Sequence, residues 1–240
     1  MKFQDVTKAA RKILKLKYCG AVIVAAGSAS RMGGIDKVMA PLKGQPMICH
    51  TVRAFQSCDA IKEIVIVTRQ DMIAPITQLC REFPKVKAVV AGGNSRQESV
   101  SLGLNTLSDK VKLAAIHDGA RPLVSWQLID LTVRMAHNYG AAAPAVPVKD
   151  TVKVVEGGLA KETPDRSKLR AVQTPQVFDF DLIRGALQKA KLEGAELTDD
   201  CSAVERMNMT VRIIDGEETN IKVTTPMDLK LAEMLMEERT

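Results

Sequence analysis

Aromatic residues are scarce in this 240-residue chain, at 3%, and histidine occurs only three times. No apolar run approaches the roughly 20 residues that span a bilayer, which excludes a transmembrane helix. The five cysteines (Cys19, Cys49, Cys58, Cys80, Cys201) are scattered, odd in number and contain no C-x-x-C pair. That pattern argues against a zinc site or a disulfide framework and points to a reducing, cytoplasmic compartment. The first residues lack the uninterrupted apolar core of a secretory signal. Internal repeats and low-complexity tracts are missing too. What is present, 46% apolar and 26% charged residues, is the balance of a soluble globular protein long enough for a sizeable core.

The net charge of +6 invites a nucleic-acid reading, but its location removes it. Lys2, Lys8, Arg11, Lys12, Lys15 and Lys17, set against Asp5, hold five of those six charges. The remaining chain is close to neutral, so a nucleic-acid partner is not expected. Phe3, Val6, Ala10 and Ile13 recur at helical spacing opposite the lysines. Residues 1–19 therefore read as a basic, amphipathic helical extension, packed on the body or else serving a membrane-surface or organelle-targeting role, ahead of a single domain over 20–240.

The body opens with Gly20-Ala21-Val22-Ile23-Val24-Ala25-Ala26-Gly27, a buried strand closed by glycine. Further strands are predicted at 64–68, 88–91, 113–117 and 141–146, with helices at 47–58, 71–82, 95–107 and 125–138. Continuous Val, Ile and Ala in the strands signal burial on both faces. The fold class is therefore α/β, a three-layer Rossmann-like arrangement with a mostly parallel sheet between helices. The rhythm breaks after 147: residues 147–155 alternate like an exposed strand, Glu156-Gly157-Gly158 turns, and 169–172 returns antiparallel. This predicts a β-arm over about 148–173, whose exposed apolar positions call for a homodimer. Helices at 179–193 and 200–207, a strand at 210–214 and a helix at 226–238 begun by Thr225-Pro226 complete the chain.

Small residues after the first strand let backbone N–H groups approach phosphate oxygens, and open α/β sheets bind ligands at that edge. Arg31 and Lys37 add two cations to the same loop. The spacing is neither G-x-G-x-x-G nor a Walker loop ending in G-K-[S/T]. Taken alone, the stretch reads equally well as a glycine turn with two solvated cations.

Ala25-Ala26-Gly27-x-x-x-Arg31-Met32 followed by Lys37 resembles the nucleotide-binding loop of sugar nucleotidyltransferases. Gly92–Val100, His117-Asp118-Gly119-Ala120-Arg121-Pro122, Gln173-Thr174-Pro175-Gln176 and Asn220–Thr224 narrow the resemblance. Together they are similar to the 2-C-methyl-D-erythritol 4-phosphate cytidylyltransferase family, from about Gly20 to the C-terminus. The resemblance implies transfer of a cytidylyl group from CTP to a polyol phosphate, methylerythritol phosphate, with release of pyrophosphate. The attacking phosphate oxygen is already ionised, so the reaction needs no general base and no Ser-His or Cys-His pair.

By that resemblance Arg31, Lys37 and Lys222 stabilise the transition state, and Arg166, at the arm's tip, reaches the neighbouring subunit's site. Asp118 would bind Mg²⁺ or another divalent cation. Ala25, Ala26, Gly27, Gly93, Asn94, Ser99 and Gly119 would hold CTP, with Gly119 letting the ribose or base approach. Arg121, Thr151 and Thr174 would bind the acceptor phosphate. His117 reads as a packing residue and Arg96 as an ion-pair member. Ala29 stands where the family usually has a second glycine, and Asp36-Lys37-Val38 where it has Pro-Lys-Gln. The loop Arg31-Met32-Gly33-Gly34-Ile35-Asp36-Lys37 also resembles those of molybdenum-cofactor nucleotidyltransferases. The same motifs leave room for a ribitol-phosphate cytidylyltransferase and for a catalytically silent nucleotide-binding homologue.

Overall fold

The computed structural model describes residues 16–27 and 37–238. The helix expected near the N-terminus, Arg31, Ala29 and Asp36 lie outside the described residues.

Strand β1 (Cys19–Ala25) is apolar and almost wholly buried. Two short strands, β2 (Pro41–Leu42) and β3 (Gln45–Pro46), pair before helix α1 (Met47–Ser57). Then follow β4 (Ile61–Thr68), α2 (Ile73–Leu79), β5 (Val86–Ala91), α3 (Arg96–Thr106), β6 (Leu113–Asp118), α4 (Trp126–Tyr139) and β7 (Ala141–Pro147). The arm holds β8 (Val154–Glu156), β9 (Leu159–Glu162) and β10 (Arg170–Val172). The chain closes with β11 (Gln176–Asp179), α5 (Phe180–Leu192), α6 (Asp200–Glu205), β12 (Arg212–Asp215) and α7 (Pro226–Glu237). The main sheet runs β10-β7-β11-β6-β1-β4-β5, with β12 parallel to β7. β1, β4, β5 and β6 pair in parallel, as the β-α-β rhythm requires.

Because successive strand residues face opposite sides, β1 feeds two cores. Ile23 joins Ile48, Val52, Phe55, Ile66 and Leu128 beneath α1 and α4. Val22 joins Val67, Val100, Leu104, Phe178 and Ile183 beneath α3 and α5. This is the three-layer arrangement. Truncating the fully buried Phe55 to alanine would cost about 3–5 kcal/mol. Helix starts follow their capping chemistry: the Ser125 hydroxyl accepts from the Leu128 N–H, and Thr225 with Asp228 forms a capping box beside Pro226. No helix among the described residues is long and apolar enough to cross a membrane.

Three sequence expectations need correction. β11 is a strand that the sequence does not announce: four residues, one of them glutamine, carry no periodicity, and the strand exists because it fits antiparallel between β6 and β7. The predicted 71–82 helix is a 3₁₀ turn at Gln70–Met72 followed by the short α2. In the arm, 169–172 does return antiparallel, but against the end of β7, with Arg170 opposite Pro147. Val154 and Val155 pair instead with Glu162 and Ala160 of β9. Gly157 and Gly158, with φ of 56° and 80°, make the tight turn of that hairpin, which suits the twist of its strands. The arm's tip is therefore Gly157-Gly158. Arg166 sits in a 3₁₀ turn nearer the root, where its guanidinium donates to the Lys149 carbonyl.

Candidate active site

The carboxyl edge of the sheet opens into a cleft of about 340 Å³. Its walls come from the end of β1 (Ala25, Ala26, Gly27), the start of α3 (Gly93, Asn94, Arg96, Ser99), the end of β6 (Asp118), and Lys37 and Lys222. A larger, more open groove of about 570 Å³, beside Arg53, Ser57 and Trp126, shares no lining residue with it.

Asp118 is the electrostatic centre of the cleft. Its Oδ2 lies 2.9 Å from Lys222 Nζ and 3.6 Å from Arg121 Nε. Its Oδ1 faces Arg96 Nη2 at 3.8 Å. Burial alone would raise the carboxyl pKa, but Lys222, Arg96 and Arg121 together outweigh it and hold the group ionised, at about 2. Arg96 itself is tied more closely to the buried Asp200, at 2.7 Å, so it is an ion-pair member as expected.

A layer of neutral groups fixes Asp118 from behind. The Arg121 carbonyl can only accept, so His117 Nε2, 3.2 Å away, carries the imidazole proton. Nδ1 is then left to accept from the Thr174 hydroxyl at 2.9 Å, and that oxygen accepts from the Asp118 N–H at 3.1 Å. Burial pushes the His117 pKa down to about 4, which keeps the ring neutral and the relay intact. The ring packs against Phe55 with centroids 4.9 Å apart, the packing role expected of it. Asn220 ties this layer to the Lys222 segment: its side-chain amide N–H donates to the Thr174 carbonyl, and its main-chain carbonyl accepts from Arg121 Nη1 at 2.7 Å. The Val223 N–H donates to the Ala120 carbonyl, which holds Lys222 across the mouth from β1.

The loop before α3 is folded as a cap. Ser95 accepts from the Glu98 N–H, Glu98 accepts from the Asn94 N–H, and Ser99 Oγ accepts from the Gly93 N–H while donating to the Ser95 carbonyl. Both N–H groups of Gly93 and Asn94 are thereby taken up within the loop, and the two residues line the cleft together with Ser99.

Of the residues singled out in the sequence, Ala25, Ala26, Gly27, Lys37, Gly93, Asn94, Ser99, Asp118 and Lys222 line one cleft. Arg121 and Thr174 stand behind it. Gly119 is turned inward: its N–H donates to the Val24 carbonyl, its carbonyl accepts from Thr51, and a side chain there would meet Val24, Ala25 and Ile48. It is a joint between β1, β6 and α1. Thr151 and Arg166 belong to the exposed arm and do not line the cleft of their own chain. Asp200, Gln176 and Gln173 are supporting groups that sequence reasoning misses. Gln173 and Gln176 stand in a recognised motif, but nothing local shows that they bond Asn220, Asp199 and the start of α6.

Among the described residues no group of three or more His, Cys, Asp or Glu side chains is placed to hold a metal ion. A single ionised carboxylate facing a cation-lined cleft still suits Mg²⁺, which keeps several waters and takes one or two carboxylates plus substrate phosphates. Asp118 fits that donor role.

The sequence profile described as IspD, 2-C-methyl-D-erythritol 4-phosphate cytidylyltransferase, matches residues 19–238. The protein of that name from Bacillus velezensis is 46% identical over 219 residues, 90% of this chain and 94% of its own. That from Dehalococcoides mccartyi is 44% identical over 220 residues, covering 90% and 95%. Among solved structures, 4-diphosphocytidyl-2C-methyl-D-erythritol synthase from Anaerococcus prevotii superposes with a TM-score of 0.83 at 30% identity, covering 92% of this chain and 96% of its own. The cytidylyltransferase from Thermus thermophilus gives 0.75 at 31%, covering 90% and 98%. With the profile spanning nearly the whole chain and its motifs gathered at one sheet edge, this protein belongs to the 2-C-methyl-D-erythritol 4-phosphate cytidylyltransferase family.

Proposed function

We propose that the chain transfers the cytidylyl group of CTP to 2-C-methyl-D-erythritol 4-phosphate, giving 4-diphosphocytidyl-2-C-methyl-D-erythritol and pyrophosphate for isoprenoid precursor synthesis. The observation that carries this reading is the convergence of Lys37, Lys222 and ionised Asp118, from three distant stretches of chain, on one cleft. The acceptor's phosphate oxygen attacks the α-phosphorus, a P–O bond forms, and the bond to the β-phosphate breaks, so pyrophosphate leaves with the electron pair. Two anions must meet, and fixed positive charge in a partly desolvated cleft lowers that repulsion. Lys37, beside Gly27, faces the triphosphate, and Lys222 lies between donor and acceptor phosphates; the motif assigns Arg31 to the same task. Mg²⁺, held by Asp118, would neutralise phosphate oxygens and align them for in-line displacement. Main chain at Gly93 and Asn94 reads the cytosine edge, supported by Ser99. Arg121 favours the acceptor phosphate, and Thr174 keeps Asp118 aimed at the cleft.

The arm leaves Val154, Val155 and Leu159 exposed, with Leu159 at 67%, which supports a homodimer built through it. In that dimer Arg166 and Thr151 of one protomer complete the acceptor site of the other. Five free cysteines, all buried, support a cytoplasmic location. The test is pyrophosphate release by the purified chain with Mg²⁺, each nucleoside triphosphate, and either methylerythritol phosphate, ribitol phosphate or a pterin acceptor. Release with CTP and methylerythritol phosphate is expected. Release only with ribitol phosphate, release with GTP and the pterin but not CTP, or no release at all would each replace the reading.

A further inference from the structure

The two oxygens of Asp118 are treated differently. Oδ2 is covered, with Lys222 at 2.9 Å and Arg121 at 3.6 Å. Oδ1 faces one cation, Arg96, whose Nη2 stops at 3.8 Å, beyond hydrogen-bond reach. The same Nη2 makes a 2.7 Å hydrogen bond to Asp200 Oδ2. Asp200 is not free to follow the arginine. Its side chain is 1% exposed, and its backbone N–H is held by Gln176 Oε1 at 3.0 Å. Gln176 is itself locked in β11 between β6 and β7. The guanidinium is thus moored to Asp200 rather than to Asp118, with Nη2 set between the two acids.

We infer that Asp200 is a positioning residue that tethers Arg96 off Asp118 Oδ1, leaving that oxygen as the one that ligates the divalent cation. The inference rests on the assignment of Asp118 as the metal carboxylate. A desolvated arginine deprived of one acid turns to the nearest remaining one. Without the Asp200 charge, Arg96 has about an ångström to travel before it bonds Oδ1 and competes with the ion for its lone pairs. The tether also explains a buried acid that bonds a wall residue without lining the cleft itself. It acts on the metal through Arg96.

The probe is Mn²⁺, followed by electron paramagnetic resonance as it binds the full chain in the presence of CTP, without acceptor. Asp200→Asn keeps the side-chain shape and the backbone bond to Gln176. It is expected to weaken Mn²⁺ binding about tenfold, in the range typical of removing a group that orients a metal ligand. Adding Arg96→Gln to Asp200→Asn removes the competitor and is expected to restore affinity to within about twofold of the parent. A merely structural role for Asp200 predicts no such rescue. If Asp200→Asn alone folds poorly, the double variant, which removes both charges together, still decides: near-parental affinity supports the tether and weak binding overturns it. Unchanged affinity in Asp200→Asn, with binding lost in Asp118→Asn, overturns the tether alone. If the parent takes up no Mn²⁺ with CTP, or Asp118→Asn binds it unchanged, the metal assignment falls and the tether with it.

Discussion

Gly103 lies at the closest approach of α3 to the sheet, and replacing it with alanine sets two known effects against each other. Alanine favours the helix over glycine by about 1 kcal/mol. The new Cβ would stand 2.4 Å from Val22 Cγ1 and 2.7 Å from Val67 Cγ2, where carbon atoms need about 3.5 Å. Both valines are fully buried and stiff at χ1, so they cannot swing aside and the helix must lift by about an ångström. Overpacking of that kind costs up to about 3 kcal/mol, leaving a net loss of about 2 kcal/mol. For a chain of this size the melting midpoint should fall by roughly 4–8 °C. Ser99, one turn earlier on the same face of α3, moves with the helix and takes the Gly93 main chain with it. A displacement of this size should also lower kcat/KM for CTP about tenfold, with a smaller change at saturating nucleotide. Calorimetry and pyrophosphate-release kinetics measure both. A midpoint that holds or rises would refute the packing account, and an unchanged kcat/KM for CTP would uncouple α3 from base reading.

Lys222→Ala should cut turnover at least about a hundredfold while leaving the thermal midpoint within a few degrees, and near-normal turnover would remove Lys222 from the chemistry. The His117 pKa of about 4 lies below its unfolded value of 6.5, so the unfolded chain takes up the proton first as pH falls. Stability should be full above about pH 6.5 and decline toward pH 4 by roughly 3 kcal/mol, a slope that His117→Gln should flatten in urea titrations. The chain should sediment as a dimer, and Val155→Asp with Leu159→Asp should yield monomer; a parent that stays monomeric at high concentration would defeat the arm assignment. Arg166→Ala and Lys222→Ala proteins, each with low activity, should regain activity when mixed, because one hybrid site then has both cations. No recovery after subunit exchange would place Arg166 in its own chain's site or in none.

Much of this architecture is legible in the sequence because it is local. The run from Gly20 to Gly27 declares a buried strand ending at a glycine, and Thr225-Pro226 announces a helix start. Residues grouped within one motif lie where the motif leads, as with Ala25, Lys37 and Asp118. What escapes the sequence depends on distant partners. β11 is a strand only because β6 and β7 leave a slot between them. The packing of Gly119 against β1 and α1 is likewise invisible in the sequence. Asp200 looks like a surface acid at a helix start, and only the fold buries it beside Arg96.

The stretch from Arg170 to Asp179 has two neighbours of different kinds. Its first half is laid along the root of the arm, its second is wedged into the centre of the sheet, and Thr174 lies between them with its hydroxyl on the Asp118 amide. From the last strand of the arm, the Asp118 amide is reached through Gln173 and Thr174, whereas the β8–β9 hairpin joins that strand through residues 163–169. In the proposed dimer, subunit contact at the arm and the aim of the carboxylate would share this one stretch of chain.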